Sequence, residues 1–154
     1  MPDLTDTDIL NRLSNTEDST VERKTANDYR DCLKTAVGFS NSLPIGDPAV
    51  VFIGVFDDGR IEDGNNPESL QRKVSAEIDK IYPAIYPQMK VLEKDGKKFL
   101  AMIVRGSGNR PHFAGQAYIR DGTQTIVASE AQFEAAVAQR NNKVYQILSG
   151  RGRR

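Results

Sequence analysis

The stretch Ala49-Val50-Val51-Phe52-Ile53-Gly54-Val55-Phe56, followed by Asp57-Asp58-Gly59-Arg60, decides the fold. AVVFIGVF is nearly continuous in apolar residues, the pattern of a strand buried on both faces. Asp58-Gly59 is a strong hairpin signal, and Ile61 begins a short return strand. A strand of this kind needs helices packed over its sheet, and the flanking sequence supplies them.

Upstream, Asp28 to Ser40 reads as a helix capped by Asn27 or Asp28. Tyr29, Leu33, Ala36, Val37 and Ser40 fall on one stripe, with Cys32 beside it. Asn41 to Pro48 is a loop rich in breakers. Ser19 to Thr25 reads as a short strand. Asp6 to Leu13 reads as a short helix whose acidic first turn suits the positive helix end. Downstream, Asn66 and Pro67 open a helix as cap and first residue, with Leu70, Val74, Ile78 and Ile81 on its buried stripe. Gln88 to Glu93 and Lys97 to Arg105 form a hairpin about Lys94-Asp95-Gly96. Ala117 to Arg120 turns at Asp121-Gly122 into Thr123 to Val127. Ser129 and Gln132 make a capping box for a last helix, with Phe133, Ala136, Val137, Val144 and Leu148 on its apolar side. The expected fold is a single α/β domain of the α+β kind, a mixed and mostly antiparallel sheet with helices over it. The expected organisation is an N-terminal helix and extension over residues 1–14, the domain over 15–148, and a disordered basic tail over 149–154.

The chain has 154 residues, one cysteine (Cys32) and one histidine (His112). An internal disulfide and a cysteine–histidine zinc cage are both excluded. No stretch approaches the roughly 20 apolar residues of a membrane span. The acidic start MPDLTDTDIL reads as no signal peptide, and a cytoplasmic setting is expected. Charge is unevenly placed. Met1 to Asp79 carries 16 acidic and 8 basic residues, a net of −8, and Lys80 to Arg154 carries 5 acidic and 13 basic, a net of +8. The asymmetry points to an anionic partner for the second half, unless folding interleaves the halves.

Three groups of residues could carry chemistry. Glu22 and Lys24, two apart on a strand, share a face. Glu17 could curl back beside them, and Asp57 and Asp58 end the buried strand. Converging carboxylates suit Mg²⁺ or Mn²⁺, which can activate water on a phosphodiester, with Lys24 assisting. The plainer alternative is a solvated edge pair and ordinary turn chemistry. The second group is Arg105 to Phe113. There Arg105, Arg110 and His112 could hold phosphates and Phe113 could stack on a base, or the segment is an ordinary loop with Phe113 in the core. The third is Arg120, which could reach phosphate from a sheet surface or form a hairpin salt bridge. Arg151, Arg153 and Arg154 add salt-sensitive attraction to a polyanion.

Taken together, Glu17 to Glu22-Arg23-Lys24, Gly38-Phe39-Ser40-Asn41-Ser42, Gly54-Val55-Phe56-Asp57-Asp58-Gly59, Pro111-His112-Phe113 and Tyr118-Ile119-Arg120-Asp121-Gly122-Thr123 resemble, in order, the Alba-like core domain of the Schlafen family. Arg23 stands where the family usually has an aromatic residue, and the glycine pair after Ser42 is replaced by Leu43 to Pro48. The resemblance implies nucleic-acid binding, RNA ahead of DNA. In members that cut RNA it implies a three-carboxylate metal site, here Glu17, Glu22 and Asp57. The larger members set two copies side by side, so a homodimer is an expectation for this chain. The alternatives are a non-catalytic DNA-binding or regulatory module, and a protein–protein adaptor that docks through its acidic first half.

Overall fold

The computed structural model describes residues 3–14 and 19–140. At its centre is β2 (Pro48–Ile53). It pairs in parallel with β1 (Val21–Lys24), Val21 opposite Val50 and Lys24 opposite Ile53. On its other side it pairs antiparallel with β4 (Lys97–Arg105), Ile53 opposite Leu100. β3 (Gln88–Lys94) completes the sheet, in the order β1-β2-β4-β3. Ala49, Val51 and Ile53 enter a core with α2 (Cys32–Ser42), α3 (Pro67–Ile78) and Leu100, Met102 and Val104. Val50 and Phe52 enter a second core with Ile9 and Leu13 of α1 (Asp6–Ser14) and with Phe99, Ala101 and Ile103. The two-sided burial accounts for the continuous apolar run. Each such side chain contributes roughly 1.5–3 kcal/mol when fully buried.

The strand is shorter than the run. At Gly54 φ is +89°, and a Cβ there would collide with the Asn65 amide. Asn65 Nδ2 donates to the carbonyls of Gly54 (2.9 Å) and Lys98 (3.0 Å). Val55 then forms an isolated bridge with Ile61, across the turn that carries Asp57.

The helix expected from Asp28 begins differently. Ala26–Asp31 is a 3-10 turn, and α2 starts at Cys32. Neither Asn27 nor Asp28 caps it. Glu62 reaches over from beyond the hairpin, its Oε1 accepting Ala26 N–H at 2.6 Å. A carboxylate 36 residues away does the work expected of a local cap. By contrast, Asn66 does cap α3, accepting from Ser69 N at 3.1 Å, with Pro67 first in the helix.

A second, three-stranded sheet is formed by β5 (Phe113–Ala114), β6 (Gln116–Asp121) and β7 (Gln124–Val127). It packs against α2, chiefly through β6. A Cβ on Gly38 would come within 3.1 Å of Thr125 and 3.4 Å of Arg120, so the missing side chain sets how closely the layers approach. The last helix, α4 (130–140), begins at the expected capping box: Ser129 N donates to Gln132 Oε1 and Gln132 N to Ser129 Oγ. Ala136 is buried there, but Phe133 is 37% exposed, contrary to its expected place on the apolar side. Val144 and Leu148 lie outside the described residues, as do Glu17, Arg151, Arg153, Arg154 and the tail. Among the described residues, no helix is long and apolar enough to cross a membrane.

Candidate functional site

β1 is an edge strand, and its alternation works as expected. Val21 packs into the α1 core. Arg23 points the same way, its Nη2 donating to the carbonyls of Leu13 (3.1 Å) and Arg12 (3.4 Å). These are end-of-helix carbonyls that lack intrahelical partners. The departure from the family's aromatic residue is thereby explained: at this position the chain closes α1 with a guanidinium.

Glu22 and Lys24 face the other way. Glu22 Oε1 lies 3.5 Å from Lys24 Nζ, and Oε2 lies 3.2 Å from Arg120 Nη1. Arg120 Nη1 also donates to Thr125 Oγ1 at 2.9 Å. The guanidinium sits 4.4 Å from the centroid of the Phe39 ring, in the range of a cation–π contact. Arg120 N donates to Ser42 Oγ at 2.8 Å. Residues 98 positions apart are thus joined, and three of the sequence motifs meet around one arginine. Asp57 is exposed and lines the same cleft as Glu22, Lys24, Thr25 and Asp28. Asp58 is turned into the hairpin, accepting from Arg60 N and Nε. Those bonds hold its carboxyl below the usual carboxylate range.

The Arg120 side chain is 6% exposed, yet its Nε and Nη2 have no hydrogen-bond partner among the described residues. A buried charged donor left unmatched costs about 1–3 kcal/mol or more.

The segment Arg105 to Phe113 is built differently. Arg110 is 4% exposed. Its Nε donates to the Ser107 carbonyl (2.7 Å), its Nη1 to the Asn41 carbonyl (3.0 Å) and Gln139 Oε1 (3.2 Å), and its Nη2 to the Leu43 carbonyl. His112 is 1% exposed. The Pro83 carbonyl can only accept, so His112 Nδ1 carries the proton and donates to it at 2.6 Å. Nε2 then accepts from Ser107 Oγ at 2.6 Å. Burial lowers the His112 pKa, which favours the neutral imidazole. Asn41 holds the segment in place: its Nδ2 donates to the carbonyls of His112 and Tyr118, and its Oδ1 accepts from His112 N at 2.7 Å. Arg110 and His112 therefore do not reach the surface where a phosphate was expected to meet them. Phe113 is half-buried, its ring 5.7 Å from that of Tyr82. Arg105 Nη1 donates to the Gly46 carbonyl, and its Nη2 lies 3.6 Å from Asp3. Cys32 is buried, its thiol pushed up to about 12 by desolvation, which leaves it a core residue.

The motif order, the strand–turn that carries Asp57 and the clasp on Arg120 now stand together, and the comparison with known families matches them. The Schlafen AlbA_2 family profile covers residues 17–129. The chain belongs to this family. No curated protein matches the chain in sequence. Among solved structures, this Schlafen AlbA_2 domain is similar to the DIP2311 protein from Corynebacterium diphtheriae, with a TM-score of 0.60 and 16% identity over 85% of this chain. The chain spans about a third of that protein's length, 32%. It is also similar to the N-terminal domain of a putative ATP-dependent DNA helicase RecG-related protein from Nitrosomonas europaea. There the TM-score is 0.57 and the identity 25%, covering 80% of this chain and 94% of that one.

Glu22, Lys24 and Asp57 are thus brought to one cleft, with Arg120 joined to it through its ion pair with Glu22, while Glu17 lies outside the described residues. Among those residues, no group of three acidic, histidine or cysteine side chains could hold a metal. Glu22 has a cation on each oxygen, so the described donors do not by themselves fit Mg²⁺ or Mn²⁺.

Proposed function

We propose that this Schlafen AlbA_2 domain binds nucleic acid and presents the β1 edge, with Lys24 and Arg120, to the phosphate backbone. The observation that carries the reading is the convergence of the family's motifs on Arg120, whose remaining donors have no partner among the described residues. Family membership and the RecG-related neighbour support it, as does the basic second half of the chain. The resemblance to RNA-cutting members makes RNA the first ligand to test and DNA the second. It also makes a homodimer the form in which a single-copy chain would offer a groove.

The finer reading is metal-dependent RNA cleavage by Glu17, Glu22 and Asp57, with Lys24 assisting. The ion pairs of Glu22 favour binding over cutting as the first reading.

Glu22→Gln separates the two, because it keeps the shape and removes the charge. Fluorescently labelled transfer RNA, single-stranded RNA and duplex DNA are titrated with protein, with Mn²⁺ or EDTA present. On the binding reading the wild type retains at least one of them in a salt-dependent manner. Glu22→Gln then binds several-fold more tightly, because Lys24 and Arg120 lose a competing carboxylate. On the catalytic reading the wild type cuts RNA with Mn²⁺ and the variant does not. Retention of no nucleic acid even at low salt overturns both and leaves the adaptor.

A further inference from the structure

A second cleft opens along the same edge, between the last turn of α1 and the small sheet. It is lined by Arg12, Ser19, Phe39, Ser42, Asp47 and Arg120, among others. Arg12 is not one of the family-motif residues; it precedes the stretch that matches the family profile. Its Nη1, like Nε and Nη2 of Arg120, is shielded from water and has no hydrogen-bond acceptor among the described residues. A guanidinium has five N–H donors and no acceptor, so two arginines that line one cleft and keep unmatched donors beside it suit an anion. The other contacts suit the same ligand. The Phe39 ring holds the Arg120 plane. Ser42 Oγ already accepts from Arg120 N, which leaves its own proton to donate. Glu22 engages Nη1 of Arg120 alone. Among the described residues, Asp47 is the one carboxylate in the lining, against two guanidinium groups. A tetrahedral oxyanion meets both the charge and the fork geometry of arginine.

We infer that this cleft seats one phosphate group between Arg12 and Arg120. The inference rests on the nucleic-acid reading for the source of that phosphate, the backbone of a bound strand; free phosphate offers the same chemistry.

Arg12→Gln and Arg12→Lys test it, since Arg12 takes no part in the clasp around Glu22. Binding of a labelled single-stranded RNA is measured against salt. Inorganic phosphate is titrated separately while the Nε–Hε NMR signals of Arg12 and Arg120 are followed. The expected results are that Arg12→Gln weakens RNA binding about tenfold and flattens the salt slope by about one phosphate's worth, 0.7–0.9. Arg12→Lys is expected to restore part of the affinity and most of the slope, and phosphate to shift both arginine signals. If the wild type binds RNA and Arg12→Gln matches it in affinity and slope, the inference falls and the nucleic-acid reading stands. If no nucleic acid binds but phosphate shifts both signals, that reading falls and the cleft is a site for free phosphate. If neither RNA nor phosphate has an effect, both fall.

Discussion

Arg110 and Arg120 are ten positions apart, both lie almost wholly out of solvent, and both were expected to hold phosphate. Arg110 directs its donors at three backbone carbonyls and Gln139. Arg120 commits one nitrogen to Glu22 and Thr125 and leaves two without a partner among the described residues. The difference teaches that burial does not separate a structural arginine from a ligand-binding one. What separates them is whether the fold supplies acceptors for the whole fork.

The sharpest way to break this comparison is Arg110→Ala. It strands the carbonyls of Asn41, Leu43 and Ser107, and unfolding in urea is expected to show a loss of roughly 3 kcal/mol or more. The folded fraction keeps its affinity for nucleic acid. A stable Arg110→Ala protein with weakened binding would reverse the assignment of the two arginines. Asn41→Ala removes three hydrogen bonds of the same clasp and is expected to cost about 2 kcal/mol. Faster amide exchange around His112 and Tyr118 is the accompanying sign.

His112 offers a subtler measurement. Its pKa is lowered in the folded protein by burial, so the unfolded chain binds more protons between the folded value and the ordinary histidine value near 6.5. Stability is therefore full above about pH 6.5 and falls as pH drops through that window, by no more than about 1.4 kcal/mol per pH unit. Thermal melts from pH 7.5 to 5.5 test this, and His112→Gln is expected to flatten the profile. The smallest expected effect on stability is that of Lys24→Ala. Its ion pair with Glu22 spans 3.5 Å between side chains 19% and 16% exposed, and such pairs contribute about 0–1 kcal/mol. The same change is expected to weaken nucleic-acid binding several-fold, so a large loss of stability with unchanged binding would move Lys24 to the structural side.

The elements were legible where a short-range signal sufficed. The two-faced strand, the Asp58-Gly59 turn, the Asn66-Pro67 helix start and the Ser129–Gln132 box each rest on residues within a few positions of one another. Expectations failed where the partner came from afar. The start of the 3-10 turn that leads into α2 is held by Glu62 rather than by Asn27 or Asp28. The loop that reads as basic and exposed is pulled inward by Asn41, 71 residues from His112. Phe113–Ala114 is too short to announce itself as a strand. Arg12 escaped notice because nothing near it in sequence marks it; its only signal is an unmatched donor in space.

Alternation along β1, the apolar run of β2 and the order of the motifs were enough, as sequence, to determine the layered fold, the family resemblance and the pairing of Glu22 with Lys24 on one face. These depend on backbone periodicity, which the chain carries locally. Which of its arginines remain open to a ligand was decided only by tertiary structure. A guanidinium is silenced by carbonyls that folding brings from other elements, and no local pattern records where those carbonyls will be.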